Sequence, residues 1–163
     1  MRTTYAPPRH AQSGFTLVEI LIVVVILGVL AAIVAPALAG ASREAQIGAF
    51  ITELKIFADE AEYYSARSGR FLADSSSGNF PPELAGGRIR ADDWENGTPL
   101  GGSWDVEFDE SGITSGVGVH FQGDNPGVPL MADVDARFDD GNLGSGVFQQ
   151  LTDADRFYWI IAP

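Results

Sequence analysis

The sequence predicts an α+β fold in which a long N-terminal helix packs on a small sheet. Two observations lead to this prediction. Residues 20–67 carry an uninterrupted apolar run followed by an amphipathic pattern with helical spacing. Residues 103–161 carry short segments that alternate apolar and polar side chains or are rich in β-branched and aromatic residues. Three or four strands covered by one helix form a domain of the α+β class.

The apolar run spans residues 20–42, and no charged residue lies between Glu19 and Arg43. As a helix, this run would be roughly 35 Å long at about 1.5 Å per residue. This length exceeds the ~30 Å hydrocarbon core of a bilayer. The alternative is a buried core helix, but a chain of 163 residues offers too little other protein to surround a helix that is apolar on every side. We therefore predict a single membrane-spanning segment.

Charged residues are divided unevenly along the chain. Residues 1–14 contain two arginines and no acid, whereas residues 91–163 contain 14 acids and two bases. This asymmetry predicts a cytoplasmic N-terminus and an acidic body on the other side of the membrane. The formal net charge of −12 argues against a nucleic-acid partner, which would need a basic surface. The absence of cysteine excludes disulfides, a thiolate nucleophile and cysteine-based zinc sites.

Beyond the membrane segment the helix is predicted to continue to Arg67, with Ser68-Gly69 as its stop signal. Its apolar side chains recur at steps of three and four residues and form a stripe suited to a small sheet. They are Ile47, Phe50, Ile51, Leu54, Phe57, Ala58, Ala61 and Tyr64.

The remainder of the chain is predicted to hold loops and strands. Residues 73–103 are rich in glycine, proline, serine and asparagine, which indicates turns. Strands are predicted at residues 103–108, 113–121 and 156–161, with a weaker strand candidate at residues 128–131.

A contiguous motif, Gly-Phe-Thr-Leu-Val-Glu at residues 14–19, stands directly before the apolar run. With the short basic segment before it, this motif resembles the start of type IV pilin and type II secretion pseudopilin precursors. The resemblance implies that residues 1–14 are a leader, that a membrane prepilin peptidase cuts after Gly14, and that Phe15 becomes a methylated N-terminus. A glycine at the cut site lets the backbone enter a protease cleft closely.

The resemblance also implies a domain organisation and a cellular location. The transmembrane half of the helix would span residues 15–40, its amphipathic half residues 41–68, and the globular head residues 69–163. The family's fold is a long helix whose second half lies across an antiparallel sheet. The expected location is the bacterial inner membrane, with a single pass, a cytoplasmic N-terminus and a periplasmic head, followed by a filament in the periplasm or at the cell surface.

Glu19 is the acid that stands at the edge of the apolar run. A carboxylate there is costly, roughly 2.5–3.5 kcal/mol at mid-bilayer and less near the end of the span. The resemblance implies that Glu19 neutralises the N-terminal amine of an adjacent subunit during assembly, and opposite charges in lipid stabilise each other. The alternative is an acid in the first turn that balances the helix dipole, worth about 0.3–1 kcal/mol.

Pro36 lies inside the predicted helix. Proline removes one backbone hydrogen bond and clashes with the preceding turn, so we expect a bend or a loosened turn near Ala32. The resemblance implies that the helix melts here when subunits pack into a filament. The alternative is an incidental proline of a membrane helix.

One acidic segment is the candidate metal site of the sequence. Calcium prefers six to eight oxygen ligands, which a flexible loop of aspartate, asparagine and glycine can supply. The candidate ligands are Asp133, Asp135, Asp139, Asp140 and Asn142. The spacing does not match an EF-hand loop, because Arg137 lies inside it and no glutamate stands at the twelfth position. The alternative is a solvated short helix with a turn at its end. No other cofactor is expected.

No residue pattern indicates an enzyme. His120 lies in a predicted strand, where a packing role is expected, and no nucleophile elbow or dinucleotide fingerprint is present. The expected function is that of a structural subunit of a pilus-like filament, most of all a type II secretion pseudopilin. Its partners would be copies of itself, related subunits, the prepilin peptidase and an inner-membrane assembly platform. The alternatives are a type IV pilus subunit for adhesion, motility or DNA uptake, and a membrane-anchored glycan-binding or glycan-processing domain.

Overall fold

Helix α1 (Leu17–Ser68) is the longest element of the chain. The computed structural model describes residues 15–110, 112–123, 127–151 and 155–163. The chain divides into two compact units, Met1–Ser42 and Arg43–Pro163, so the division falls within α1. It lies close to the predicted change from the membrane half to the amphipathic half of the helix at residue 40.

The second unit contains all the other elements found in the described residues. In chain order they are a short 3₁₀ turn at Pro82–Leu84, helix α2 (Ala91–Glu95), strands β1 (Ser103–Glu110) and β2 (Ile113–His120), helix α3 (Val128–Asp135), and strands β3 (Phe148–Gln150) and β4 (Arg156–Ala162). The strands form one antiparallel sheet in the order β1-β2-β4-β3. The predicted α+β arrangement, a long N-terminal helix with a small antiparallel sheet, is confirmed.

The register of the sheet places the apolar side chains of the alternating segments on one face. Trp104 pairs with Val119 across β1 and β2, and Val119 pairs with Phe157 across β2 and β4. All three side chains are fully buried. Because side chains of a strand alternate between faces, the polar residues between them lie on the opposite, outer face.

The second half of α1 covers the apolar face of the sheet. Its stripe contributes the buried side chains of Ile47, Phe50, Leu54 and Phe57 to the core. Phe50 stacks on Trp104 with ring centroids 5.3 Å apart. Phe57 meets the same ring edge-on at 4.8 Å. The predicted amphipathic stripe is therefore the face that α1 presents to the sheet.

Tyr158 is a buried side chain on the outer face of the sheet. Gly118 of β2 lies beside Tyr158 of β4, and a Cβ on Gly118 would stand 2.7 Å from Cγ of that ring. The glycine thus leaves the space that the ring occupies. The Tyr158 hydroxyl donates a hydrogen bond of 2.6 Å to Oδ2 of Asp105 on β1. The tyrosine therefore links the two strands that flank β2.

Two predicted details differ in the structure. Residues 128–131, the weak strand candidate, belong to helix α3, so that prediction was wrong. Gly127 precedes the helix with φ of 94°, and Pro129 lies in its first turn, where proline is tolerated. Strand β3 was not predicted, since its three residues are too few to show a pattern.

Candidate functional site

Phe15 is the residue expected to become the mature N-terminus. Its side chain is 83% exposed, and helix α1 begins two residues later at Leu17. Gly14 lies outside the described residues, so the cleavage position remains a prediction.

Thr16 and Glu19 cap the N-terminus of α1 together. The Thr16 backbone N–H and the Thr16 hydroxyl each donate a hydrogen bond of 2.8 Å to Oε2 of Glu19. The Glu19 backbone N–H donates to the Thr16 hydroxyl oxygen at 3.2 Å. This is a capping box, in which threonine before the helix and glutamate three residues later satisfy free N–H groups reciprocally.

The capping box explains how the apolar helix accommodates an acid at its start. The carboxylate lies at the positive end of the helix dipole and accepts two hydrogen bonds. Among the described residues both of these bonds go to Oε2, which leaves Oε1 open to a donor from elsewhere. The capping role of Thr16 was not predicted, although the pattern Thr-x-x-Glu before an apolar run is a known signal for the start of a helix.

The apolar part of α1 is exposed on every side. Its large apolar side chains from Leu17 to Leu38 are 49% to 90% exposed. This stretch is long and apolar enough to cross a membrane. Helix α1 continues through Pro36 without interruption. Because so much apolar surface is unfavourable in water, it must be covered by lipid or by other protein.

Three of the five candidate metal ligands come together after α3. Asp135, Asp139 and Asp140 each offer a carboxylate oxygen, and these atoms lie within 4.8 Å of one another. We call these three residues the carboxylate cluster. Asp133 is paired with Arg137 instead, at 3.2 Å. The Asn142 side-chain oxygen accepts a hydrogen bond from the Gly144 N–H at 3.2 Å.

Asp135 is the buried member of the carboxylate cluster. It is fully buried, and neither carboxylate oxygen has a hydrogen bond of good geometry within the described part of the chain. Burial raises the pKa of Asp135, and the negative charges of Asp139 and Asp140 raise it further. The backbone N–H groups of Gly141 and Asn142 only partly oppose this rise. A buried carboxylate in this state calls for a proton or a cation.

The loop after the cluster holds the other two carboxylates in place. Oδ2 of Asp139 accepts hydrogen bonds from the N–H groups of Val147 and Phe148, at 2.6 and 2.9 Å. Asp140 accepts bonds from the Ser145 hydroxyl at 2.7 Å and from the Asn142 N–H at 2.8 Å. These hydrogen bonds lower the pKa of Asp140, and the bond from Ser145 has the largest effect.

The donor set of the carboxylate cluster suits calcium. Its three carboxylates offer hard oxygen ligands, which calcium prefers. The buried Asp135 carboxylate without a good hydrogen bond is the structural sign that a cation would be stabilising there. The residues therefore fit the ion.

His120 lies in a second polar group, on the outer face of the sheet. Its Nδ1 is 3.8 Å from Oδ2 of Asp105, and its Nε2 is 3.5 Å from Oδ2 of Asp155. Arg156 pairs with the buried Glu107 at 2.7 Å in the same layer. These contacts link strands β1, β2 and β4 and give His120 the packing position expected for it.

Comparison with protein families finds a match near the N-terminus. The family model described as the prokaryotic N-terminal methylation motif matches residues 9–35. No solved structure matches the chain significantly.

Three relatives share the name "Type II secretion system core protein G". The protein of Pseudomonas aeruginosa is 43% identical over 56 residues, which are 34% of this chain and 39% of the relative. That of Aeromonas hydrophila is 33% identical over 63 residues, 39% of this chain and 44% of the relative. That of Pectobacterium carotovorum is 33% identical over 70 residues, 43% of this chain and 45% of the relative.

The matched segment therefore spans less than half the length of each of these relatives. The residues that the family model matches contain the contiguous Gly-Phe-Thr-Leu-Val-Glu motif and the first part of the apolar run, the two features on which the resemblance depends. The chain is therefore similar over part of its length to proteins named type II secretion system core protein G, and its residues 9–35 match the prokaryotic N-terminal methylation motif.

Proposed function

We propose that the chain is the precursor of a structural subunit of a type II secretion pseudopilus. The methylation motif and the name shared by the three relatives support this function. A secretion role is preferred to a surface pilus because each of these relatives carries the name of a secretion protein. The role is non-enzymatic, since the subunit acts by packing.

Processing prepares the chain for assembly. In this proposal a prepilin peptidase cuts between Gly14 and Phe15, and Phe15 is then methylated on its new amine. The cut removes Arg2 and Arg9, which favour a cytoplasmic position for the N-terminus. It leaves the apolar helix in place, so the mature subunit stays in the inner membrane with its head on the periplasmic side.

Assembly then depends on two properties of α1. Its exposed apolar surface packs against the same surface of neighbouring subunits, which removes that surface from lipid or water. The Glu19 carboxylate, fixed on one oxygen by Thr16, offers its other oxygen to the Phe15 amine of a neighbour. In a medium of low dielectric, a pair of opposite charges is far more stable than either charge alone. An inner-membrane assembly platform would deliver subunits to the growing end.

We further propose that the carboxylate cluster holds calcium. The ion would supply positive charge to Asp135, Asp139 and Asp140. It would thereby reduce the free-energy cost of burying the Asp135 carboxylate in its charged form. Asp139 also holds the N–H groups at the start of β3, so an ion there would join the end of α3 to the sheet.

The observation that carries the proposed function is the contiguous methylation motif directly before an apolar helix that is exposed on every side. Its experiment is intact-mass analysis of the protein extracted from membranes of a host that has the peptidase. We expect the loss of residues 1–14 and the gain of one methyl group on Phe15. A Gly14→Val variant, in which a branched side chain obstructs the cut site, should keep its leader. An uncut wild-type chain in that host would reject the proposal.

A further inference from the structure

Arg43 is the first charged residue after the apolar run of α1. The hydrocarbon core of a bilayer takes up about 20 residues of a helix. Counted from Glu19 at one edge of the run, the core ends at about residue 39, and Arg43 follows about 6 Å farther along the helix. The headgroup layer beyond the core is about 5–7 Å deep. A chain inserted through this run therefore places Arg43 at the level of the lipid phosphates.

The charge of Arg43 is not balanced within the described part of the chain. Its side chain is exposed, and its guanidinium has no hydrogen-bond or ion-pair partner among the described residues. The neighbouring acid, Glu44, is bound by another arginine. Nη1 and Nη2 of Arg137 donate hydrogen bonds of 2.6 and 3.0 Å to the two carboxylate oxygens of Glu44. The guanidinium of Arg43 is therefore available to an anion from outside the chain.

An open pocket of about 370 Å³ adjoins Arg43. It combines this one cation with an amide and with apolar side chains. The other lining residues are Gln46, Pro99, Leu100, Gly101 and Leu130. All of them belong to the unit Arg43–Pro163. A cation beside apolar side chains suits a phospholipid, whose phosphate is charged and whose acyl chains are apolar.

The turn that carries Pro99, Leu100 and Gly101 is closed by its own backbone. The Gly101 N–H donates to the Thr98 carbonyl at 3.0 Å, and the Thr98 N–H donates to the Gly102 carbonyl at 3.2 Å. Because the turn is already ordered, this side of the pocket does not lose conformational freedom when a ligand binds.

We propose that Arg43 and the adjoining pocket form a binding site for the phosphate of an acidic phospholipid in the membrane leaflet next to the head. The site would hold the base of the head at the bilayer surface, although the acidic head as a whole is repelled by such a leaflet. This inference needs the apolar run to span a membrane, as the proposed function does. It needs neither cleavage of the leader nor assembly of a filament.

Arg70 provides a matched control. Its guanidinium is also exposed and has no hydrogen-bond or ion-pair partner among the described residues. Arg70 follows the end of α1 at Ser68, and about 38 Å of helix separates Ser68 from Arg43. A general attraction of exposed arginines to acidic lipid would act on both residues, whereas the proposed site depends on Arg43.

The experiment is a titration of the full-length chain in neutral detergent micelles with phosphatidylglycerol. The amide resonances of Gln46 and Gly101 in heteronuclear NMR spectra report on the pocket and not on lipid bound near the leader. We expect saturable shifts of both resonances. Arg43→Gln should raise the lipid mole fraction at half-saturation about fivefold, as for the loss of one cation at an acidic membrane surface. Arg70→Gln should bind like wild type, and the remaining resonances monitor the fold of each variant.

Two further arms test the charge of the pocket and the source of the phosphate. Gln46→Glu places an acid one turn from Arg43, where the two side chains can pair, so it should weaken binding as Arg43→Gln does. Its Gly101 resonance is the readout. Glycerol phosphate, which has the headgroup without acyl chains, should leave the wild-type resonances unshifted at the same concentration.

Several results would overturn the inference. Equal weakening in Arg43→Gln and Arg70→Gln would show a general attraction and not a site. Wild-type binding in Arg43→Gln or in Gln46→Glu, or a wild-type chain whose pocket resonances do not shift, would reject the site. Glycerol phosphate that shifts the resonances as strongly as the lipid would show a site for free phosphate instead. The intact-mass experiment on leader cleavage is independent of all these outcomes.

Discussion

The packing of Tyr158 in the sheet requires that its neighbour, Gly118, has no side chain. Its ring is fully buried beside Gly118, and its hydroxyl reaches Asp105 two strands away. A methyl group on Gly118 would displace the ring and the β4 backbone next to it. The position is therefore one where glycine is required by close packing.

We expect Gly118→Ala to destabilise the head by at least about 2 kcal/mol, because overpacking at a fixed backbone contact cannot relax easily. The measurement is denaturant unfolding of the full-length chain in detergent, followed by tryptophan fluorescence. Gly48→Ala is the matched control, since a Cβ on Gly48 meets nothing within 4 Å. That change should be neutral or stabilise helix α1 by up to about 1 kcal/mol. Equal stability of the two variants would contradict the packing role of Gly118.

Asp105 gives the head a defined pH dependence. Burial raises the pKa of Asp105, and the hydrogen bond from Tyr158 and the charges of Arg156 and His120 only partly oppose the rise. A folded-state pKa above the unfolded one means that the charged form is disfavoured in the folded head. Folding stability from this group therefore increases as the pH falls through its folded pKa, and it is lost again as the pH rises.

We expect Asp105→Asn to be more stable than wild type at pH 7, because the amide is neutral and its oxygen can still accept the Tyr158 hydroxyl bond. The advantage should shrink as the pH falls through the folded-state pKa of Asp105, where the wild-type carboxyl also becomes neutral. Chemical unfolding of both proteins from pH 7 down to pH 4 measures the difference. A difference that stays constant over this range would show that Asp105 does not titrate as described.

At the scale of elements, the sequence predicts those whose pattern is long enough to repeat. Helix α1 and strands β1, β2 and β4 follow from apolar spacing, and each is found. Strand β3 has three residues, Phe-Gln-Gln, and exists because β4 pairs with it. Helix α3 begins with Val-Pro-Leu-Met, which is too short and too apolar to show a helical period, and its start is set by Gly127 and Pro129.

The carboxylate cluster shows the same limit at a functional site. The sequence brings five candidate ligands into one segment but cannot tell which of them converge. Asp133 lies on α3 two residues before Asp135, and a helix turns such neighbours to opposite sides. Asp139 returns to the side of Asp135 because its N–H donates to the Asp135 carbonyl at 2.8 Å. The conformation of the backbone after the end of α3 therefore determines which of the five residues converge.

We expect millimolar calcium to raise the melting temperature of the full-length chain, since an ion that binds only the folded state stabilises it by mass action. At a calcium concentration of about 100 times the dissociation constant, the gain is about 2.7 kcal/mol. Asp135→Asn should lose this response, because it removes the buried ligand. Asp92→Asn, an exposed acid on α2, should keep it. A calcium response that survives in Asp135→Asn would place the ion elsewhere.

At the scale of the whole molecule, the two units carry opposite chemistry. The unit Arg43–Pro163 contains 21 acidic and 8 basic residues, which gives a formal charge of −13. Such charge keeps a head soluble but makes neighbouring heads repel each other. In the described part of the unit Met1–Ser42, Glu19 is the single charged side chain, and the rest offers apolar surface. Association is therefore expected to come from the helix.

Polymer formation by Glu19→Gln tests the central claim most directly. Glutamine can still accept the Thr16 hydrogen bonds and cap α1, but it cannot neutralise the Phe15 amine of a neighbour. We predict that Glu19→Gln is inserted into the membrane and folds like wild type, and that its yield of sheared filaments falls to background in cells that express the assembly machinery. A Glu19→Gln variant that forms filaments at the wild-type yield would contradict the claim that this carboxylate docks one subunit onto the next.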